Sequence, residues 1–353
     1  MAAAAKAAPK LVVRTFNKIN AAGLSRFDPS MFQIKEDNND GAHAILLRSH
    51  KLQASDVPLM CRSIARCGAG TNNCNVPLMS ELGVPVFNTP GANANAVKEL
   101  ALCGLFLASR GVMEGATRME ELHQSGEAHA QIEKVKAQFG GRELAGKTLG
   151  VVGLGAIGAA VLKAALDLRM EVVGFDPALS VDAALKLPGH RIRIVDSLED
   201  LAKASDYISL HAPSNEHTNG MISTQILSQM RPDACILNFA RGELVDEAAL
   251  AHHFDNNGTG RYVCDFAVGP ELSPRSNVIV LPHLGASTDE AEENAAAMAA
   301  DTTALYLQTG TIRDSVNSST TTLPARLDTV QRVCVVNENR PGMLGEILSV
   351  FGN

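Results

Sequence analysis

The stretch VVGLGAIG, residues 151–158, decides the fold. A short apolar strand runs into a turn whose glycines, Gly153, Gly155 and Gly158, have the spacing G-x-G-x-x-G. The first glycine allows a tight turn. The second lets the backbone approach a pyrophosphate, and the third lets the next helix sit close to the strand. A helix-like run, 159–168, follows. A helix N-terminus offers unpaired N–H groups to phosphate oxygens, which adds the backbone of Ala156 and Ile157 to the cofactor contacts. Residues 147–152 read as the leading strand, and 171–175 as a second strand ending in Asp176. Asp176 falls about 20 residues beyond the last glycine, where a carboxylate can hydrogen-bond an adenosine ribose. An acid there favours NAD over NADP, because a 2′-phosphate would meet a like charge. The bland alternative is a glycine-rich strand–turn–helix with no ligand.

The 353 residues suffice for about two domains. The net charge of −7 argues against a broad nucleic-acid footprint. No apolar run reaches the roughly 18–20 residues that would span a bilayer. The seven cysteines are scattered singly, with no C-x-x-C pair, and read as reduced, small buried hydrophobes in an intracellular protein. The opening MAAAAKAA reads as a disordered tail on a cytoplasmic protein rather than the remnant of an organelle transit peptide.

In order along the chain, strands are expected at 10–16, 43–49, 63–67 and 84–88, with a turn at 68–73 and a helix at 77–82. These describe a small α/β unit. The run 94–110 reads as a long helix leading into the nucleotide unit. The more polar 113–139 reads either as an exposed, partner-facing arm or as a solvated helix. Further strands are expected at 191–195, 207–211, 234–240, 261–266 and 278–281, with helices at 198–204, 223–230 and 247–255. Repeated β–α units after such a turn fit a doubly wound sheet, whose ligands bind beyond the carboxyl ends of the strands. Three of those ends carry reactive residues: Arg241, Asp265 with Glu271 in the loop after it, and His283. A guanidinium can grip a carboxylate and polarise a C2 oxygen. An imidazole can take the hydroxyl proton as hydride leaves a 2-hydroxy acid, and a carboxylate beside it favours its charged form. Taken singly, each is more often a surface or capping residue.

At these residues the chain resembles the D-isomer-specific 2-hydroxyacid dehydrogenases, above all the branch that oxidises 3-phospho-D-glycerate at the head of serine synthesis. The matching stretches are ELAGKTLGVVGLGAIG, ISLHAP, LNFARGELVDEAAL and LPHLGASTDEAEENAA, preceded by LLRSHKL, GAGTNN and FNTPGANANAVKEL. The resemblance implies that Arg241 binds the substrate carboxylate and carbonyl oxygen, that His283 is the general acid/base and that Glu271 is its partner. It places Asp265 on the nicotinamide carboxamide and further NAD contacts at His211, Ala212, Pro213, Ala240 and Gly285. Arg48 would recognise the substrate phosphate. Ala69 and Gly70 would offer backbone N–H groups to its carboxylate, with Asn93 nearby. No metal is called for, and a homodimer or homotetramer is implied.

The sequence departs from the family pattern in two places. Many members carry the catalytic Glu five residues after the equivalent of Asp265, where this chain has Pro270. A Trp common ahead of the E-L-x-G-K stretch is absent, with Phe139 nearby.

The expected architecture is a Rossmann domain over 96–285 and a discontinuous flavodoxin-like substrate domain over 1–95 and 286–316, re-entered through a helix at 287–308. A Ser/Thr-rich linker then leads to RVCVVNENRPGMLGEILSVFGN, which resembles the opening β–α of an amino-acid-sensing ACT domain, within 324–353. A lone strand and helix cannot bury their apolar faces by themselves. Two rival functions remain: a glyoxylate/hydroxypyruvate or D-lactate reductase, which would not need Arg48, and an NAD-sensing corepressor, which would bind NADH with little turnover.

Overall fold

The structure is a computed structural model that describes residues 9–36, 41–256, 258–273, 275–323, 333, 335, 337 and 340–352. It divides into two units, Met1–Ala92 with Glu292–Asn353, and Asn93–Ala291. Each carries one fully parallel sheet.

Among the described residues the first unit has five strands: β1 Leu11–Thr15, β2 Phe32–Glu36, β3 Ala44–Leu47, β4 Ser63–Arg66 and β5 Val86–Phe87. Their order is β2-β1-β3-β4-β5, the flavodoxin-like winding. The sequence reading lacks β2, whose FQIKE is polar at alternate positions and occupies an edge. Successive residues on the inner strands feed opposite faces. Leu46 and Ala65 join one cluster with Val13 and Phe87, while Ile45, Leu47 and Ile64 join another with Met79 and Val86. A parallel sheet covered on both faces needs such continuous apolar runs, which is why AILL reads as a strand without alternation. Helix Asp289–Thr309 closes one face through Ala295, Ala296, Ala299 and Ala300. Its fit against helix Ala21–Leu24 is close: a Cβ on Gly23 would lie 2.3 Å from that of Ala296.

The second unit has seven strands: β6 Thr148–Val152, β7 Glu171–Phe175, β8 Arg193–Ile194, β9 Tyr207–Leu210, β10 Cys235–Asn238, β11 Tyr262–Cys264 and β12 Val278–Val280. The order β12-β11-β10-β9-β6-β7-β8 is that of a doubly wound dinucleotide fold, with β6 and β9 flanking the point where the winding reverses. Val151 and Leu237 face one core, and Val152 and Ile236 the other.

Two expectations need correction. The helix after the glycine turn is Ala156–Asp167, starting three residues earlier than its apolar pattern, because the backbone is already helical across Gly158. Cys103 is exposed rather than buried: helix Ala94–Ser109 is apolar on most sides, so hydrophobicity alone did not identify its outer face. Cys61, Cys67, Cys74, Cys235 and Cys264 are buried, and burial pushes the Cys61 and Cys74 thiols up to about 11. Cys334 lies outside the described residues.

Residues 113–139 fall in helices Val112–Gln124 and Ala128–Val135 and the 3₁₀ turn Lys136–Phe139. They share a small cluster of Leu122, Ala128 and Val135. Phe139 sits against Gly111, where a Cβ would meet it at 3.2 Å. Most of the expected ACT-like strand lies outside the described residues, whereas its helix is present as Met343–Phe351. No helix among the described residues is long and apolar enough to cross a membrane.

Candidate active site

The glycine turn follows β6 at the carboxyl edge of the seven-stranded sheet. Gly153 has φ 87°, and a Cβ there would lie 2.7 Å from the His211 carbonyl oxygen. Only glycine tolerates both conditions. A Cβ on Gly158 would lie 1.9 Å from the Gly153 oxygen, so this glycine lets the helix close onto its own turn. Around Gly155 a Cβ would meet nothing within 4 Å, and no side chain caps the helix that starts at Ala156. The turn therefore presents open space and free helix-terminal N–H groups, the donor set that suits a pyrophosphate. Asp176 is fixed at the end of β7. Its Oδ2 accepts the Leu154 N–H (2.8 Å) and its Oδ1 the Ala178 N–H (2.9 Å). Two lone-pair sites remain on the carboxylate for ribose hydroxyls.

Beyond β9, His211 contributes its ring to Ser209, with Nε2 2.8 Å from the hydroxyl oxygen. Its Nδ1 is buried without a partner, and burial pulls the imidazole down to about 4. Ala212 and Pro213 continue from it beside the glycine turn, since the His211 carbonyl is what a Cβ on Gly153 would strike.

Adjacent strands then present the reactive set. After β10, the Asn238 amide donates to the Arg241 carbonyl (2.8 Å) and accepts the Ala240 N–H (3.2 Å), which fixes the backbone that carries the guanidinium. After β11, Asp265 is 1% exposed. Its Oδ2 accepts the Gly285 N–H (2.9 Å), while its Oδ1 is buried without a partner among the described residues. An orphaned buried acceptor at the edge of a nucleotide fold fits the amide of a nicotinamide carboxamide. After β12, His283 adopts φ 49°, held there by its N–H, which donates to the carbonyls of Asp265 and Leu281, both at 3.0 Å. Its exposed ring meets Phe266 edge-on at 5.4 Å.

Glu271 is not joined to His283. Its side chain is exposed and makes no hydrogen bond among the described residues; its carbonyl accepts from Arg275 at 2.7 Å. The loop that carries it is anchored instead by buried Leu272 and by Glu247, whose Oε2 accepts the Gly269 N–H at 2.7 Å. Asn93, also in this unit, has a buried Oδ1 without a partner at the start of helix Ala94–Ser109.

The five-stranded unit carries Arg48, Ala69 and Gly70 at its own carboxyl edge, after β3 and β4. Among the described residues the N–H groups of Ala69 and Gly70 find no backbone acceptor, while the Ala69 carbonyl takes the Asn88 amide at 2.7 Å. The backbone at Arg48 is held by three side chains. Arg66 and Asn73 both donate to its carbonyl at 3.1 Å, and Asn17 Oδ1 accepts the N–H groups of Ser49 (3.1 Å) and His50 (2.8 Å). Its guanidinium Nη1 lies 2.5 Å from Glu292 Oε1. Asn17, Asn73, Asn238 and Phe266 are the supporting residues that sequence reasoning missed. An Asn at a strand end was the available signal, because its short amide can bridge local backbone groups.

Comparison with known proteins places the chain in a family. Residues 108–285 match the family described as D-isomer specific 2-hydroxyacid dehydrogenase, NAD binding domain. The chain is similar to D-3-phosphoglycerate dehydrogenase of Escherichia coli (strain K12), 32% identical over 332 residues, or 90% of this chain and 76% of that protein. It is also similar to the protein of that name from Mycobacterium tuberculosis (strain ATCC 25618 / H37Rv), 34% identical over 284 residues, or 78% of this chain and 51% of the other. Among solved structures, an NAD⁺-bound 3-phosphoglycerate dehydrogenase of Entamoeba histolytica shares the fold, with TM-score 0.70, 22% identity and coverage of 88% of this chain and 99% of that one. So does a D-mandelate dehydrogenase of Rhodotorula graminis, with TM-score 0.74, 22% identity and coverage of 90% and 100%. The chain belongs to the D-isomer-specific 2-hydroxyacid dehydrogenase family and carries that family's NAD-binding domain.

Proposed function

We propose that this chain oxidises 3-phospho-D-glycerate to 3-phosphooxypyruvate with NAD, the first committed step of phosphorylated serine synthesis. The observation that supports it most is the placement of Arg241, Asp265 and His283 after three adjacent strands, β10, β11 and β12, in the sheet that carries the glycine turn. The similarity to proteins named D-3-phosphoglycerate dehydrogenase supports the substrate.

In this reading the five-stranded unit is the substrate domain. Arg48 takes the phosphate, and the N–H groups of Ala69 and Gly70 take the carboxylate. Arg241 grips the carboxylate and the C2 oxygen, drawing charge onto that oxygen as the carbonyl forms. His283 accepts the C2 hydroxyl proton in oxidation and returns it in reduction. Its exposed ring can pass the proton to water. When bound, NAD supplies the acceptor for the hydride that leaves C2. Asp176 would hold the adenosine ribose and Asp265 the carboxamide, while His211, its imidazole kept neutral by burial, would line the cofactor site beside the glycine turn. With no hydrogen bond between Glu271 and His283, the role of Glu271 rests on the family resemblance alone. That resemblance also supports a homodimer or homotetramer, and the unpaired cysteines support a cytoplasmic setting.

The test is His283→Ala. Loss of a general acid/base lowers kcat by about 10²–10⁴-fold, with NADH affinity unchanged. Unchanged turnover would overturn the mechanism.

A further inference from the structure

Within the five-stranded unit, the head group of Arg48 is engaged before any ligand arrives. Its Nη1 is 2.5 Å from Glu292 Oε1, and no other partner of the guanidinium is found among the described residues. Both ends of this pair are fixed. The Arg48 backbone is tied by Asn17, Arg66 and Asn73. Glu292 sits in the first turn of helix Asp289–Thr309, which is locked to the sheet by four buried alanines.

We propose that Glu292 is a positioning residue for Arg48, and through it a determinant of preference for a phosphorylated substrate. The inference rests on the phosphate-binding role of Arg48 given above. A guanidinium is a planar fork with five N–H donors. Glu292 occupies Nη1 and leaves Nε and Nη2 to face an incoming phosphate. A long side chain held this way has already lost rotamer freedom, so binding loses less. Against this stands repulsion between Glu292 and the phosphate. Both side chains are 36% exposed, so water and salt weaken that repulsion and the ion pair alike, whereas the hydrogen bonds that tie the Arg48 backbone do not depend on the pair.

The experiment compares full-length wild type, Glu292→Ala and Glu292→Gln, with NADH and either 3-phosphohydroxypyruvate or hydroxypyruvate. Glu292→Ala should raise KM for the phosphorylated substrate about threefold, leaving its kcat within about twofold and the KM for hydroxypyruvate unchanged. Gln keeps a carbonyl acceptor at the same reach, so Glu292→Gln should recover most of that loss. NADH affinity should be the same in all three. A fall in KM for the phosphorylated substrate would make Glu292 a competing charge and overturn the proposal. An equal rise for both substrates would reduce it to a structural role and overturn it as well. A wild type without preference for the phosphorylated substrate removes the reading of Arg48 itself. Preference in the wild type with no change in Glu292→Ala removes only this inference.

Discussion

Two loops at the carboxyl ends of parallel strands do different work by different means. The turn after β6 is made chiefly of backbone: Gly153, Gly155 and Gly158 set its shape, the helix that follows supplies its N–H groups, and one side chain, Asp176, holds the Leu154 N–H. The loops after β3 and β4 are built from afar. Arg48 is held by Asn73 and Arg66, and the two amides after it by Asn17, 32 and 33 residues away in the chain. Its head group meets Glu292 from the far end of the sequence. A backbone-made site tolerates almost no substitution. A side-chain-made site degrades in steps and can be retuned to another substrate.

The sharpest way to break the comparison is Gly158→Ala. The added Cβ would lie 1.9 Å from a backbone oxygen that cannot move aside. Overpacking of this kind costs about 3 kcal/mol, and NADH binding should be lost in a fluorescence titration. Retained affinity would mean that the turn is not rigid. Next is Asp176→Ala, which deletes the acceptor of the Leu154 and Ala178 N–H groups. Leaving those donors unpaired and losing the ribose contact should weaken NADH about tenfold, without moving the substrate KM at saturating NADH.

Asn73→Ala probes the other loop. It removes one of the two donors to the Arg48 carbonyl and leaves the His50 carbonyl without the Asn73 amide, and KM for the phosphorylated substrate should rise about fivefold, one net hydrogen bond's worth. NADH affinity should not change. If it did, the two loops would not be separable.

A separate test concerns pH. His211 is held at about 4 by burial, against 6.5 for an ordinary histidine. Between those values the unfolded chain binds a proton that the folded chain refuses, so stability falls as pH drops from 6.5 towards 4. His211→Gln should flatten that part of the urea-midpoint profile. An unchanged slope would assign the acid sensitivity to other groups.

The same contrast explains what could be read from sequence. The unit around β6 was readable because its signals are local: an apolar strand, glycines at fixed spacing, and an acid at the end of the next strand. The strand ends bearing Arg241, Asp265 and His283 were readable for the same reason. Strand β2 was missed because an edge strand needs only one apolar face, and FQIKE has little more than Phe32 to show for it. The outer face of helix Ala94–Ser109, where Cys103 emerges, is set by what packs against the other sides. Glu271 lies one residue beyond the position at which many family members carry the acid, and among the described residues its carboxylate has no hydrogen bond to His283. Glu292 stood within a recognised stretch, but its pairing with Arg48 joins residues that only the folded sheet brings together.

The role of Arg48 in choosing a phosphorylated substrate is measured by NADH consumption at equal concentrations of 3-phosphohydroxypyruvate, hydroxypyruvate, glyoxylate and pyruvate, with Arg48→Ala alongside. The expected result is a clear preference for the phosphorylated acid that disappears in the variant. Preference for an unphosphorylated acid, untouched by Arg48→Ala, would contradict it and move the chain to the reductase branch of its family.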